Sequence, residues 1–165
     1  MFEILKRYHW EQKCMVFIMK FVIQRVLKAK VVINKKMYSS INQGILLLAG
    51  FESTDEELNF DYYANKIANL RIFSDSNNKM NKSLIDINGS ILVVSQFTLL
   101  ANINKGNRPS FIHAAKPSIA KPLYDKLIKK LKNYEINVEQ GRFGAKMFLE
   151  FINDGPVTII MDNKK

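Results

Sequence analysis

The chain has 165 residues, a formal net charge of +10 and a hydrophobic fraction of 47%. This length supports one domain with one core, and no apolar run approaches a membrane span, so we expect no membrane partner. The single cysteine excludes an internal disulfide framework and favours a reducing compartment, the cytoplasm. With one cysteine and two histidines, no metal-ligand spacing occurs, and the sequence indicates neither a metal nor another cofactor.

The positive charge favours an anionic partner, of which nucleic acid is the commonest. Surface lysines that only keep a protein soluble would produce the same charge, so charge alone does not separate the two interpretations.

Residues 1–18 differ in composition from the rest of the chain. They hold the only tryptophan and the only cysteine, and end in a short apolar run over residues 15–18. That run is too short for a secretory signal, and no small-residue cleavage site accompanies it. We expect an N-terminal extension over 1–18, as a short helix, a disordered arm or a mis-assigned start, and one domain over 19–165.

Three strands are predicted in the first third of the chain. Residues 19–26 place successive side chains on alternate faces, as in a strand, and residues 29–33 are again rich in β-branched side chains. The polar residues 34–36 that follow are typical of a turn. Residues 45–51 form a continuous apolar run, which predicts a strand buried on both faces.

Two helices are predicted from spacing. Ser53 and Thr54 each precede a glutamate by three residues, which is the spacing of a capping box. Apolar residues then recur at intervals of three and four, namely Phe60, Tyr63, Ala64, Ile67 and Leu70. The second helix begins over residues 117–122 and buries the stripe Leu123, Leu127, Leu131 and Tyr134. Its other face is usually only solvated, but could touch a phosphate backbone through Lys126, Lys129, Lys130 and Lys132.

The most informative stretch is residues 91–100. Four apolar residues run into Ser95-Gln96-Phe97-Thr98 and the apolar run then resumes, which predicts one buried strand over the whole stretch. Buried polar groups need hydrogen-bond partners or a pocket. Either neighbouring loops satisfy these side chains, or the end of the strand opens into a ligand site.

Three further strands are predicted at residues 136–140, 147–152 and 157–161, the last two joined as a hairpin by Asn153-Asp154-Gly155-Pro156. A Gly-Pro bond is one of the few places where a cis peptide is cheap. A cis bond would turn two carbonyl oxygens to the same side with no Cβ on Gly155 to shield them; an ordinary turn is the alternative. Together these elements predict a single α/β or α+β domain.

Six motifs occur in one order along residues 19–161, and their combination resembles the D-aminoacyl-tRNA deacylase family. Two are diagnostic, Ser95-Gln96-Phe97-Thr98 and Gly155-Pro156 within Asn153-Asp154-Gly155-Pro156-Val157-Thr158. The supporting motifs are Gln24-Arg25-Val26, Arg71-Ile72-Phe73-Ser74-Asp75 with Lys79-Met80-Asn81, Gly106-Asn107-Arg108-Pro109-Ser110-Phe111, and Gly141-Arg142-Phe143 with Met147. The departures are the N-terminal extension and Asn78, where the family often has glycine.

The resemblance implies an α/β fold of mixed, barrel-like, layered β-sheets covered by two main helices. It implies a homodimer with active sites at the subunit interface that hydrolyses the ester bond of D-aminoacyl-tRNA, and of glycyl-tRNA mischarged on tRNA(Ala). Ser95-Gln96-Phe97-Thr98 of one subunit would hold the 3′-terminal adenosine and its ester. Gly155-Pro156 of the other would reach across them, with Arg25 fixing this motif, and Phe143 and Met147 would be pocket residues.

Ester hydrolysis requires stabilisation of a tetrahedral oxyanion. Thr98 could be the nucleophile, but no His or Lys in its motif is placed to activate it. We therefore prefer N–H groups around Phe97 and Thr98 as oxyanion donors, with water attacking with the help of the ribose 2′-hydroxyl. Carbonyls of Gly155 and Pro156 would fix the α-amino group and exclude an L side chain. The alternatives are a non-catalytic protein that binds the tRNA 3′ end and a purely structural dimer.

Overall fold

The computed structural model describes residues 19–57 and 59–162, so the predicted extension over residues 1–18 lies outside the described residues. Within them the chain forms eight strands and two α-helices: β1 (Lys20–Ile33), β2 (Lys36–Ile41), β3 (Gly44–Gly50), α1 (Phe60–Ala68), β4 (Phe73–Ser74), β5 (Met80–Lys82), β6 (Ser90–Ser95), α2 (Pro117–Leu131), β7 (Asn137–Gln140) and β8 (Phe148–Asp162). Neither α-helix of this part of the chain is long and apolar enough to cross a membrane.

The two longest strands, β1 and β8, organise the main sheet. They pair antiparallel over nearly their whole length. On its other edge, β1 pairs first with β3 and then with β2. Parallel strands β6 and β7 extend the sheet from β3, and Ser39 Oγ in β2 donates to the carbonyl oxygen of Gln140 in β7 at 2.9 Å. This contact brings the two ends of the sheet together, so the sheet curls into a nearly closed barrel under two helices, as predicted.

Two apolar cores lie on opposite faces of the sheet. The larger packs α1 and α2 onto the sheet, and the smaller fills the space on the other face. Successive residues of β3 alternate between them: Ile45 and Leu47 belong to the larger core and Leu46 to the smaller. The continuous apolar run of β3 therefore reflects burial on both faces, as predicted.

The predicted strand over residues 91–100 is wrong in its second half. Strand β6 ends at Ser95, and residues Phe97–Leu100 form a short 3₁₀ helix. The backbone N–H of Gln96 still donates to the Ala49 carbonyl at 2.8 Å, and Leu99 N–H then bonds back to Gln96 at 3.3 Å. Leu100 is buried all the same, so hydrophobicity did not reveal this change of direction.

The predicted capping box is also wrong. Residues Ser53–Glu57 form a separate 3₁₀ helix, and α1 begins at Phe60 behind Asn59, whose side chain accepts from Tyr62 N–H at 3.1 Å. Asparagine is as good an N-cap as serine. The predicted apolar face is confirmed for Phe60, Tyr63, Ala64 and Ile67.

The predicted hairpin at residues 153–156 is absent. Strand β8 continues through these residues, because its two halves pair with one partner, β1, rather than with each other. Gln24 lies opposite Thr158 and Val26 opposite Asn153. Arg25 therefore faces a bulge of four residues, 154–157, which accommodates a proline without a backbone N–H. The two strands predicted over 19–26 and 29–33 are likewise one strand, β1.

Candidate active site

A pocket of about 610 Å³ opens where the parallel strands β3 and β6 end together. Ala49 lies opposite Ser95 at this end of the ladder, and Ser95, Gln96 and Phe97 line the pocket as the chain turns away. The carboxyl ends of parallel strands are the usual place for a ligand site in an α/β sheet. The functional interpretation of the polar residues after β6 thus has a pocket to support it.

One wall of the pocket is held by the hydroxyl of Tyr124 on α2. This buried hydroxyl donates to the Val93 carbonyl at 2.7 Å and lies 3.3 Å from the Gly141 carbonyl. Burial raises the pKa of the Tyr124 hydroxyl far above its ordinary value, so it remains a donor. Its ring packs on Phe143 at 5.7 Å between centroids. Helix α2 therefore fixes the strand ends from which the Phe143 loop departs.

Met147 reaches the same wall because residue 141 is a glycine. A Cβ at Gly141 would lie 3.0 Å from Met147 Sδ. Phe143 and Met147 both line the pocket, so the structure brings them together with Ser95, Gln96 and Phe97.

The opposite wall comes from residues 111–117. The backbone N–H of Ala115 donates to the Phe51 carbonyl at 2.8 Å, which ties this segment to the end of β3. Phe111 meets Phe97 edge to face with centroids 5.1 Å apart. Phe111 and Lys116 both line the pocket.

The Ser95-Gln96-Phe97-Thr98 motif offers donors rather than an activated nucleophile. Among the described residues, the N–H groups of Phe97 and Thr98 have no hydrogen-bond acceptor, because they begin the 3₁₀ helix. The exposed Thr98 hydroxyl accepts from Gln96 Nε2, and in the same part of the chain no base bonds to it. Thr98 itself does not line the pocket. This geometry favours electrostatic stabilisation over a threonine nucleophile.

Gly155 and Pro156 lie elsewhere, in the bulge of β8, and neither lines this pocket. Both are exposed, and the peptide bond between them is cis, as the sequence suggested. Arg25 holds the bulge from below: its Nε donates to the Asp154 carbonyl at 3.1 Å and pairs with the Asp154 carboxylate at 3.0 Å. Its Nη1 donates to the Ile72 carbonyl at 2.6 Å.

The bulge also requires a glycine at residue 155. Its φ is +121°, a conformation that side chains with a Cβ rarely adopt. A Cβ there would lie 2.8 Å from Arg25 Nη2. Asn153 Oδ1 accepts from Val157 N–H at 3.1 Å and closes the bulge from the other side. The predicted residues therefore form two clusters, the pocket and the bulge.

Sequence reasoning missed Tyr124, Lys116 and the use of Phe111. Tyr124 stands beside the predicted stripe residue Leu123 on α2, and a tyrosine next to a buried stripe often carries its hydroxyl to a buried acceptor. Phe111 was noticed only as part of a motif, and nothing in the spacing placed it against Phe97.

The chain is similar to known proteins both as a family and as individual relatives. The family described as D-Tyr-tRNA(Tyr) deacylase matches residues 22–162. A D-aminoacyl-tRNA deacylase from Thermosipho africanus is 50% identical over 147 residues, which cover 89% of this chain and 99% of that protein. A protein of the same name from Fusobacterium nucleatum is 52% identical over 146 residues, or 88% of this chain and 97% of its own.

Two solved structures share this fold. The c-Myc DNA Unwinding Element Binding Protein has a TM-score of 0.82 and 38% identity, covering 88% of this chain and 99% of its own. A probable eukaryotic D-amino acid tRNA deacylase, with a TM-score of 0.77, 18% identity and coverage of 88% and 99%, supports the fold alone. The chain therefore belongs to the D-aminoacyl-tRNA deacylase family, a family of hydrolases that act on ester bonds.

Proposed function

We propose that this protein hydrolyses the ester bond of D-aminoacyl-tRNA and releases the free D-amino acid and the tRNA. The observation that carries the proposal is the pocket at the end of β6, where Ser95, Gln96 and Phe97 meet Phe143 and Met147. The two relatives at about half identity bear the name of this activity. Such an enzyme checks the chirality of the amino acid before translation uses it, and therefore works in the cytoplasm.

The chemistry follows from the donors at the pocket mouth. The terminal adenosine enters the pocket, and the ester carbonyl lies against the free N–H groups of Phe97 and Thr98, which stabilise the oxyanion. Water attacks with assistance from the ribose 2′-hydroxyl, because no base bonds to Thr98 in the described part of the chain. Thr98 and Gln96 position this turn through their side-chain hydrogen bond.

A homodimer completes the site in this proposal. Within the described residues, β8 pairs only with β1, which leaves its other edge open. The strand exposes large apolar side chains, namely Phe148, Phe151, Ile152 and Ile160. A long apolar edge strand is a surface for pairing with another chain. Gly155 and Pro156 lie on this strand, outside their own pocket, so a partner's pocket can receive them.

The enzyme then selects D substrates because the bulge sterically excludes an L side chain. Carbonyls of Gly155 and Pro156 from the partner bind the α-amino group, and Arg25 keeps the bulge in place. An L side chain would have to point into the space that the bulge fills, whereas a D side chain points away. Because no side chain is gripped, many D-amino acids are substrates, and so is glycine, including glycyl-tRNA mischarged on tRNA(Ala).

The functional unit that we propose is residues 19–165. The family match begins at residue 22, and the Thermosipho relative aligns over 99% of its own length with 89% of this chain. We therefore expect the chain that begins at Met19 to hydrolyse substrate and dimerise as the full chain does.

The direct test compares matched D- and L-tyrosyl-tRNA. Release of amino acid from the D form alone supports the proposal. Binding of the tRNA 3′ end without release from either form would instead identify a non-catalytic RNA-binding protein. Equal release from both forms would remove the chirality check while leaving the esterase.

The shared site can be tested by mixing two inactive variants. A pocket variant, Gln96→Ala, keeps an intact bulge, and a bulge variant, Gly155→Ala, keeps an intact pocket. Random exchange of subunits makes half the dimers mixed, each with one complete site, so activity should return to about a quarter of wild type. No recovery after verified exchange would place both halves of the site within one subunit.

A further inference from the structure

One long segment that contributes to the pocket carries only positive charges. Between Asp86 and Asp125 the sequence has no Asp or Glu, but it has Lys105, Arg108 and Lys116. Among the described residues that line the pocket, Lys116 is the only charged one. Outside this segment, Glu52 lies next to Ala114 of the pocket wall. A predominantly positive surface beside a pocket raises the local concentration of anions.

These three cations are available, whereas several lysines of α2 are engaged. Lys130 pairs with Asp61 at 2.8 Å, Lys121 bonds to Asp125, and Lys126 lies 5.0 Å from the centre of the Phe60 ring. Among the described residues, Lys105, Arg108 and Lys116 have no ion pair and donate no side-chain hydrogen bond, and all three are exposed. Within the described part of the chain, Lys129 and Lys132 of α2 are also exposed and unpaired, so free positive charge lies on this helix as well. Only the cations at the pocket mouth adjoin the pocket, because Lys116 lines it.

An exposed aromatic pair accompanies this charge. Phe97 is 56% exposed and Phe111 is 37% exposed, although the two rings contact each other. Exposed aromatic faces next to cations are the usual platform for the bases of single-stranded nucleic acid.

The loop that carries Lys105 and Arg108 is fixed at its base. Asn102 and Ser110 exchange two backbone hydrogen bonds of 2.8 and 2.9 Å, and Asn102 Oδ1 accepts from Asn104 N–H at 2.9 Å. Residues 103–109 therefore project as a closed loop immediately before Phe111.

We infer that this surface, which we call the rim (Phe97, Lys105, Arg108, Phe111 and Lys116), binds the unpaired nucleotides that precede the terminal adenosine. Their bases stack on Phe97 and Phe111, and their phosphates meet the three cations. The inference rests on the proposed function, because the adenosine must occupy the pocket for its 5′ neighbours to reach the rim. Stacking tolerates any base, which suits an enzyme that accepts many tRNAs. In this inference the rim is the RNA contact next to the pocket, and the lysine face of α2 is the alternative with which the test compares it.

The test uses three substrates of increasing length: D-tyrosyl-adenosine, a D-tyrosyl trinucleotide ending in CCA, and D-tyrosyl-tRNA. The rim variant is Lys105→Gln with Arg108→Gln. The control is Lys129→Gln with Lys132→Gln on α2, which removes the same charge. We expect the rim variant to raise KM for the trinucleotide and the tRNA about tenfold more than KM for the nucleoside. We also expect it to reduce the slope of log KM against log salt concentration by about one.

Two results would overturn the inference. One is an equal effect of the rim variant on all three substrates, which would place these residues in support of the pocket. The other is an equal or larger effect of the α2 control on the tRNA. If the wild-type protein hydrolyses none of the substrates, the proposed function fails instead. In that case the rim inference is tested separately by measuring the affinity for an uncharged CCA trinucleotide by fluorescence anisotropy. Equal affinity of the wild type and the rim variant would overturn the inference.

Discussion

The pocket at the end of β6 and the bulge in β8 are supported in different ways. The pocket wall is fixed by several contacts from separate elements, including the Tyr124 hydroxyl on α2 and the Ala115 bond to β3. The bulge is held by two side chains, Arg25 of β1 and Asn153 of β8. A single substitution at the bulge should therefore cause a large loss of activity, whereas a single substitution in the pocket wall should cause only a small one.

Gly155→Ala should have the largest effect. Its Cβ would lie 2.8 Å from Arg25 Nη2 at a φ of +121°, so either the bulge or the arginine must move. We expect a loss of kcat/KM on D-tyrosyl-tRNA of about 100-fold or more, with backbone strain costing about 1–3 kcal/mol. Kinetics would measure the loss of kcat/KM and chemical denaturation the loss of stability, and light scattering would check that the dimer is intact.

Gly106→Ala is the matched control for that strain. Gly106 also has a positive φ, +65°, but a Cβ there would meet nothing within 4 Å. A Cβ at Gly155 would also lie 2.9 Å from Val157 Cγ2. A similar loss of stability in Gly106→Ala, with hydrolysis of D-tyrosyl-adenosine retained, would therefore assign the Gly155 effect on activity to the collisions with Arg25 and Val157. A fully active Gly155→Ala enzyme would break the comparison.

Arg25→Lys should have the next largest effect. Lysine keeps the charge, but it cannot bond to the Asp154 and Ile72 carbonyls in the two directions that the guanidinium uses. We expect a roughly 10- to 100-fold loss of activity and a fall in unfolding free energy of about 2–4 kcal/mol, because Arg25 is buried. Arg71→Lys is the control, since exposed Arg71 also makes two bonds, both to Asn81. An equal effect of both variants would mean that arginine loss has a general cost unrelated to the bulge.

Tyr124→Phe tests the pocket side. The ring can still pack on Phe143, but the Gly141 carbonyl loses its side-chain contact and the Val93 carbonyl keeps only the Gly141 N–H. We expect a loss of about 1–2 kcal/mol and a several-fold fall in kcat/KM, far smaller than for the bulge variants. Tyr134→Phe is the control, because the Tyr134 hydroxyl donates no hydrogen bond within the described residues. A loss as large as that of Gly155→Ala would show that the pocket is no more tolerant than the bulge.

The sequence predicted the two regions unequally, for physical reasons. The pocket strand was found because a continuous apolar run indicates burial on both faces, and residues 91–94 of β6 are all buried. Its end at Ser95 was missed because Leu99 and Leu100 continue the apolar signal into a 3₁₀ helix. The bulge residues were found through the family motif, but turn chemistry placed them in a hairpin. Local sequence does not specify that both halves of β8 share β1 as their partner.

The smallest functional effect should come from Asp55, which belongs to neither region. It is buried in the 3₁₀ helix before α1, where one carboxylate oxygen accepts from Glu52 N–H at 2.7 Å. Burial raises the pKa of Asp55 from 3.8 to about 6. Because the folded state holds this proton more tightly than the unfolded state, stability should fall as the pH rises from about 4 to 6 and then level off.

Asp55→Asn should remove that fall while keeping an oxygen for Glu52 N–H. We expect it to raise the unfolding free energy at pH 7.5 by about 1–2 kcal/mol and to leave kcat/KM unchanged. Asp86→Asn is the control of opposite sign, since hydrogen bonds from the backbone and side chain of Ser83 lower the pKa of Asp86. That carboxylate stabilises the fold at neutral pH and loses its effect as the pH falls, so its substitution should destabilise. If Asp55→Asn destabilises at pH 7.5 as Asp86→Asn does, the Asp55 carboxylate stabilises the fold, which would contradict a raised pKa for this group.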